Sequence, residues 1–291
     1  MAITTAVILA AGLGTRLLPA TKAVPKEMLP VIDKPLIQYA VEEVAAAGIT
    51  EVVFVVADGK EAIADHFGSS GRVEAALREK GDEQALAVAA APARLANFHY
   101  VVQDRPLGIA HAVACAREYV EGQAFALVFP DDLIISRRPC VAQLLDAYAA
   151  CAGSVIAVHE VAEEDIPQYG IVDPVGTGNP ARLRGLVEKP LASEAPSNLG
   201  IVGRYILSPT ILKHIDNTVP GKNGERQITD ALIGQLMAGE PVCSYRFEGE
   251  RFDTGRPAGL LLAALRAGLE RPDIRAALWP LLRQAAAAEV H

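Results

Sequence analysis

A chain of 291 residues with 51% hydrophobic content is large enough for one sizeable α/β domain or two small ones. Its formal charge of −8 and its 5% of aromatic residues exclude a broad polyanion-binding face and a stacking platform for nucleic acid. Small anionic substrates then need local cations or a metal to hold them, and no run of about 18 apolar residues offers a membrane span.

The first predicted element is a buried strand over residues 5–10, short, apolar and β-branched at Val7 and Ile8. It runs into Ala11-Gly12-Leu13-Gly14-Thr15-Arg16, where two glycines allow a tight turn and let backbone N–H groups approach an anion. Between 12 and 34, Arg16, Lys22, Lys26 and Lys34 outnumber Glu27 and Asp33, a local basic excess on an acidic chain. A strand followed by G-x-G first suggests a dinucleotide-binding turn. Pro19 and Pro25 interrupt the helix that such a turn needs, the third glycine is missing, and no Gly-Lys-Ser/Thr follows. What remains is a long extended loop that can lie along a triphosphate, although each lysine taken alone reads as a solvated side chain.

A helix over 36–48 follows, opened by Pro35 and stopped by Gly48. The pattern then predicts a strand over 51–56, a short helix over 60–67 and a longer charged helix over 72–90 that forms an arm. A strand over 98–103, a helix over 108–119 and a strand over 124–129 complete the strand–helix alternation of a parallel, doubly wound sheet. Such sheets bind ligands beyond the carboxyl ends of their strands. The glycine loop, Gln103 and Asp131 all fall at such ends.

After about Cys151, strands dominate: 155–161, 170–175, 182–187, 199–207 and 242–247, with helices only at 209–216 and 227–238. This half is expected to extend the sheet with antiparallel strands. Helices over 256–269 and 275–288 close the chain, and the alanine-rich tail 285–289 is expected to fray. They carry nine leucine and tryptophan positions between Leu260 and Leu282, more than one helix face needs, which predicts a homo-oligomer. Cys115, Cys140, Cys151 and Cys243 form no C-x-x-C pair and no zinc spacing, and all four are expected to be reduced thiols of a cytoplasmic protein. The N-terminus reads as carrying no charged leader before its apolar run.

The segment G-L-G-T-R-L-L-P-A-T-K-A-V-P-K-E-M-L-P at 12–30 resembles the nucleotide loop of the sugar-nucleotide pyrophosphorylases, and in detail that of the bacterial UTP–glucose-1-phosphate uridylyltransferases. The resemblance continues in order through Asp33-Lys34-Pro35-Leu36-Ile37-Gln38-Tyr39, Pro130-Asp131-Asp132, Glu188-Lys189-Pro190, Ser197-Asn198-Leu199, Val202-Gly203-Arg204-Tyr205 and Phe252-Asp253-Thr254-Gly255. It implies a Rossmann-like, doubly wound mixed sheet of the glycosyltransferase-A type, with an antiparallel sugar-binding extension and C-terminal helices. One domain over 1–291 is then expected: 1–150 mainly nucleotide-binding, 151–255 mainly sugar-binding, and 256–291 the closing helices. The chain departs from the family at Gly68-Ser69-Ser70-Gly71-Arg72, where an Asp and a more acidic segment are usual, and at Ala110, which replaces a glycine.

The reaction implied is UTP plus glucose 1-phosphate giving UDP-glucose plus diphosphate, with a phosphate oxygen of the sugar phosphate attacking the α-phosphorus. The resemblance assigns Arg16 to the outer phosphates, Lys26 to the α-phosphate and incoming sugar phosphate, and the backbone of Ala11, Gly12, Gly14 and Thr15 to the triphosphate. Asp131 and Asp253, each after a strand, match the ligands of one Mg²⁺, with Asp132 beside them. Glu188 suits two sugar hydroxyls and Lys189 the sugar's phosphate; Gly170 and Asn198 are assigned to the sugar as well. Gln103, Glu27 and Gly108 are assigned to the nucleotide, while His111 is read as a packing or capping residue. A thymidylyltransferase acting on the same sugar phosphate is one alternative, since one methyl separates the bases. A non-catalytic nucleotide-sugar sensor on the same fold is another.

Overall fold

The computed structural model describes residues 2–69, 71–221 and 224–288, so Ser70 of the 68–72 turn and Glu289 of the tail lie outside the described residues. Strand β1 (Thr5–Ala10) leads into a loop built of three short 3-10 turns and a small ladder of β2 (Pro30–Val31) and β3 (Lys34–Pro35). The expected extended loop is thus more tightly wound than its prolines suggested. Helix α1 (Leu36–Ala46), strand β4 (Glu51–Val56) and helix α2 (Glu61–Phe67) follow. The predicted helix over 72–90 is two helices, α3 (Arg72–Lys80) and α4 (Glu83–Ala90). Gly81 takes φ 69°, a left-handed stop, and Asp82 caps α4 by accepting from Ala85 N at 3.0 Å.

Strand β5 (Asn97–Val102), helices α5 (Ile109–Cys115) and α6 (Arg117–Val120), and strands β6 (Phe125–Val128) and β7 (Asp132–Ile135) complete the first half. The second half comprises α7 (Cys140–Cys151), β8 (Ser154–Glu160), β9 (Gly170–Pro174), β10 (Ala181–Glu188), β11 (Leu199–Leu207), α8 (Ile211–Asp216), α9 (Ile228–Met237), β12 (Val242–Arg246) and β13 (Glu250–Asp253). Helices α10 (Pro257–Glu270) and α11 (Pro272–Ala288) end it, the tail staying helical through Ala288.

Nine strands form one mixed sheet in the order β5-β4-β1-β6-β11-β8-β12-β10-β9. β5, β4, β1 and β6 are parallel, as the alternation predicted, and β11, β10 and β9 add the antiparallel pairings. Alternation along β1 sends Ala6, Ile8 and Ala10 to one face and Val7 to the other. The first face buries α1, α2 and α7 through Val41, Ile63 and Leu144; the second buries α5, α8 and α9 through Val113, Ile215 and Leu232. With both faces covered, the central strands are apolar throughout and their open ends are left to build the site.

Two features were not foreseen. β7 and β13 pair antiparallel in a separate ladder that places Asp253 opposite Asp132. The expectation of four reduced thiols is also corrected: Cys151 and Cys243 are joined in a disulfide with Cα atoms 6.3 Å apart, while Cys115 and Cys140 are free. β12 runs beside β8 with Cys243 opposite Val155, which brings it against the last residue of α7 although 92 positions separate them.

Candidate active site

The loop after β1 is locked from below. Gly14 sits at φ 67°, and a Cβ there would lie 3.0 Å from Lys26 Cβ, so both backbone angle and space demand glycine. Thr21 Oγ1 donates to Gly14 O at 2.8 Å. Glu27 turns inward, buried, and accepts from Lys60 Nζ at 2.8 Å; the same ammonium donates to Gly12 O at 2.7 Å. Burial raises the Glu27 pKa despite Lys60, and burial lowers that of Lys60. Glu27 Oε1 is buried with no partner among the described residues.

Lys60→Ala is therefore expected to leave a buried carboxylate unpaired and the Gly12 loop untethered. The expected cost in unfolding free energy is about 3–5 kcal/mol, read by urea denaturation, with a raised KM for the nucleotide. Adding Glu27→Gln should restore most of the stability without restoring KM, because Gly12 stays unheld. A single variant as stable as the parent would remove this role.

The acids come from both halves. Arg204, 1% exposed, pairs with Glu43 at 2.9 Å and donates to Phe129 O at 2.8 Å, fixing the turn that carries Asp131. Thr254 donates to Asp131 O from its N at 2.9 Å and its Oγ1 at 2.8 Å, tying the β13 end to the same turn. At Gly255 a Cβ would lie 2.7 Å from Arg16 Nη2, 3.1 Å from Asp253 Oδ1 and 3.3 Å from Asp131 Oδ2. One guanidinium and two carboxylates thus crowd around a point that only glycine leaves empty.

Lys26 Nζ donates to Asp131 Oδ2 at 2.6 Å. Arg16 Nη1 and Arg256 Nε stand 3.9 and 3.4 Å from Asp253 Oδ2. Burial opposes ionisation of both Lys26 and Asp131, but each outweighs that for the other: Lys26 is pushed above the ordinary lysine range and Asp131 below the carboxylate range. Both stay charged at neutral pH. Asp132 differs from its neighbour. Arg251 Nε donates to its Oδ1 at 2.6 Å and Gly203 N to its Oδ2 at 2.8 Å, so both of its oxygens are engaged in holding the ladder together.

On the β10 side, Thr229 Oγ1 donates to Glu188 Oε2 at 3.1 Å, and Lys189 Nζ is 3.5 Å from Glu188 Oε1. A Cβ on Gly170 would lie 3.2 Å from Glu188 Oε2. Lys189 is held at φ 46°, its N–H on Tyr169 O at 3.1 Å.

Two adjoining cavities run between the halves. One, about 230 Å³, is lined by Arg16, Asp132, Gly170, Arg251, Asp253 and Arg256 among others. The second, about 340 Å³, is lined by Ala11, Gly12, Lys26, Gln103, Gly108 and Ala112 among others. Asp131, Glu188, Lys189, Ile109, Phe129 and Gln227 line both. Gly14, Thr15, Glu27 and Asn198 line neither: Gly14 and Glu27 shape the loop from behind, and Asn198 is exposed with its carbonyl on Val161 N at 2.9 Å. Gly108 meets the backbone of Arg226, where a Cβ would lie 2.4 Å from the carbonyl oxygen.

Lys60 and Arg251 were missed in the sequence. Arg251 had a signal, since strand alternation puts it on the face of Asp253 two residues on. Lys60 had none beyond its place after a strand.

Among the described residues no three His, Cys, Asp or Glu side chains converge as a metal cluster. The Asp131–Asp253 pair nevertheless fits Mg²⁺, which takes one or two carboxylates and completes its shell with phosphate oxygens and water.

Comparison with known proteins agrees with this geometry. A family described as nucleotidyl transferase matches residues 5–268. A UTP–glucose-1-phosphate uridylyltransferase of Bacillus subtilis (strain 168) is 42% identical over 278 residues, 95% of each chain. A UDP-glucose pyrophosphorylase structure with UDP-glucose superposes with a TM-score of 0.84 at 37% identity, covering 93% of this chain and 100% of that one. A UTP-bound enzyme of the same kind from Acinetobacter baumannii gives 0.88 at 36% identity, covering 97% and 99%. From the strand-end site to the nearly full-length matches, these findings place the chain in the nucleotidyl transferase family.

Proposed function

We propose that the chain catalyses UTP + α-D-glucose 1-phosphate = UDP-glucose + diphosphate, a Mg²⁺-dependent in-line transfer. The observation that carries this reading is the junction of the two cavities. There Lys26 and Asp131 from one half meet Lys189 from the other, with Arg16 and Asp253 alongside. The names of the relatives and the UTP and UDP-glucose bound to its neighbours point the same way. Residues 1–150 would supply the nucleotide side, 151–255 the sugar side and 256–291 the closing helices of one domain.

The sugar phosphate already carries its attacking oxygen as an anion, so no side chain has to remove a proton. An O–Pα bond forms as the bond from Pα to the diphosphate oxygen breaks. The protein's work is alignment and charge neutralisation. Lys26 meets charge at the α-phosphate, Lys189 that on the sugar phosphate, and Arg16, with its two-pronged guanidinium, that on the departing diphosphate. Glu188 accepts sugar hydroxyls, with Thr229 fixing its carboxylate. Asp131 and Asp253 would hold the Mg²⁺, which would supply positive charge to the reacting phosphates.

Diphosphate release with UTP and with dTTP, each with and without Mg²⁺, tests the reading. UTP is expected to win in kcat/KM by about 10–200-fold, the range one methyl confers. Preference for dTTP would move the chain to thymidylyl transfer, and no diphosphate with either would leave a sensor.

A homodimer or homotetramer is proposed as well. α10 spends one face on Val31, Leu36 and Leu133, yet Leu261 is 61% exposed, and Trp279 and Leu281 on α11 are 48% and 63% exposed. Light scattering at micromolar concentration should exceed the 30.7 kDa of one chain, and a clean monomer peak would defeat this. We place the enzyme in the cytoplasm. No helix among the described residues is long and apolar enough to cross a membrane.

A further inference from the structure

Gln103 ends β5, buried at 7% exposure, and lines the second cavity. Its Nε2 lies 3.2 Å from Gly108 O and 3.0 Å from His111 Nδ1. A carbonyl oxygen only accepts, so the amide nitrogen must face Gly108, and both of its hydrogens are then committed. Gly108 is a fixed reference. It stands at φ 95° against Arg226, whose N donates to Leu107 O at 2.8 Å and whose carbonyl accepts from Ala110 N at 3.0 Å. To receive an N–H, His111 must present a bare Nδ1, which makes it the neutral imidazole protonated on Nε2. Cys115 Sγ, 3.9 Å from the same nitrogen, also faces it as a thiol donor. Gln103 Oε1 has no hydrogen bond among the described residues and is not sealed from solvent.

We propose that His111 is a positioning residue for base choice: its unprotonated Nδ1 latches the Gln103 amide so that Oε1 is presented to the nucleobase, accepting a ring N–H and refusing a ring lone pair. This rests on the reading of Gln103 as a base contact. Uracil carries hydrogen on N3, whereas cytosine has a lone pair there. A second proton on His111 would set Nδ1–H against the amide NH₂. Rotating the amide would satisfy the histidine but place Oε1 against Gly108 O, two acceptors face to face. Neither orientation satisfies both neighbours, so protonation opens the latch.

The surroundings keep it closed. Burial, then Arg226 from the crossing segment and Arg105 from the loop before α5, lower the His111 pKa, with Asp104 opposing; burial also keeps the Cys115 thiol protonated. Nucleotide affinity is therefore full at neutral pH and lost as pH falls below the ordinary imidazole range.

The test compares kcat/KM for UTP and CTP in the full-length enzyme with Mg²⁺ and glucose 1-phosphate, from about pH 8 to about pH 5. His111→Leu is expected to lower kcat/KM for UTP about tenfold, through KM more than kcat, and to narrow the UTP:CTP ratio by at least about tenfold. His111→Asn, whose amide oxygen can stand near Nδ1, should recover most of that ratio and flatten the acid-side rise in KM. Because both nucleotides are assayed on one preparation, the ratio does not depend on the fraction folded. An unchanged ratio in His111→Leu, or Asn no better than Leu, overturns the inference. Gln103→Met separates the two layers. If it too leaves the ratio unchanged, the base-contact reading falls; if it alone collapses the ratio, only the role of His111 does.

Discussion

Asp253→Asn and Asp131→Asn are each expected to lower kcat by on the order of 10²–10³ with both substrates and Mg²⁺ saturating. The side chains are about one-quarter exposed, and the hydrogen bonds that tie these two residues to the local backbone survive the exchange. Asp253 Oδ1 accepts from Gly255 N at 3.1 Å, and an asparagine oxygen can do the same. Asp131 is tied to Thr254 through its backbone carbonyl, which the substitution leaves alone. What disappears is one negative charge at the point where both halves crowd Gly255. A neutral amide is a poor ligand for a hard cation, and it leaves Arg16 and Arg256, or Lys26, without their counter-charge. Circular dichroism and the melting temperature should stay near those of the parent. Near-normal turnover of Asp253→Asn at saturating Mg²⁺ would sink the metal assignment. The pH dependence follows from Asp131: Lys26 holds its pKa below the ordinary range, so the charged pair persists as pH falls through the usual carboxylate titration and is lost only below it.

Asp131 stood out in the sequence because it follows a short apolar run, and a doubly wound sheet puts its ligands at strand ends; Asp253, behind Glu250-Arg251-Phe252, was marked only by the family resemblance. The ladder that joins them had no such mark. β7 and β13 are four residues each, too short for a period-two pattern to stand out, and no local signal pairs positions on opposite sides of α7 through β12. Asp132 illustrates the consequence. Expected beside the two metal ligands rather than as one of them, it is turned by strand alternation to Arg251 and Gly203 while still lining the first cavity. Glu27 beside Lys26 parts from its neighbour in the same way, facing down to Lys60. Adjacent residues in a turn or strand point apart, so a motif names the neighbourhood of a site more reliably than the contacts each of its members makes. The disulfide escaped for a different reason. Cysteine spacing reports only local pairs, and Cys151–Cys243 is made by the neighbouring of β8 and β12.

Lys26→Ala and Lys189→Ala should both be severe but in different constants. Lys26 lines only the second cavity, is 16% exposed in its side chain, and bonds Asp131. Charge at the α-phosphate matters more as the new bond forms than in the ground state, so its loss should fall on kcat, by about 10²-fold or more. It also leaves Asp131 without its counter-charge, which raises that carboxylate toward the ordinary range and moves the acid limb of the rate profile upward. Lys189 is 58% exposed in its side chain and stands between the cavities beside Glu188. Its φ of 46° is set by the Tyr169 hydrogen bond and survives truncation to alanine, so the local backbone should hold. The missing charge then weakens glucose 1-phosphate, raising its KM by about tenfold or more with a smaller change in the KM for UTP. The measurement is a full two-substrate grid of initial rates for both variants. Equal rises in the KM for UTP would contradict the division, because they would mean that the two ammonium groups meet the same phosphate. A Lys189→Arg variant sharpens the reading. It keeps the charge at a longer reach and should recover glucose 1-phosphate binding in part, whereas arginine in the confined place of Lys26 should not restore kcat.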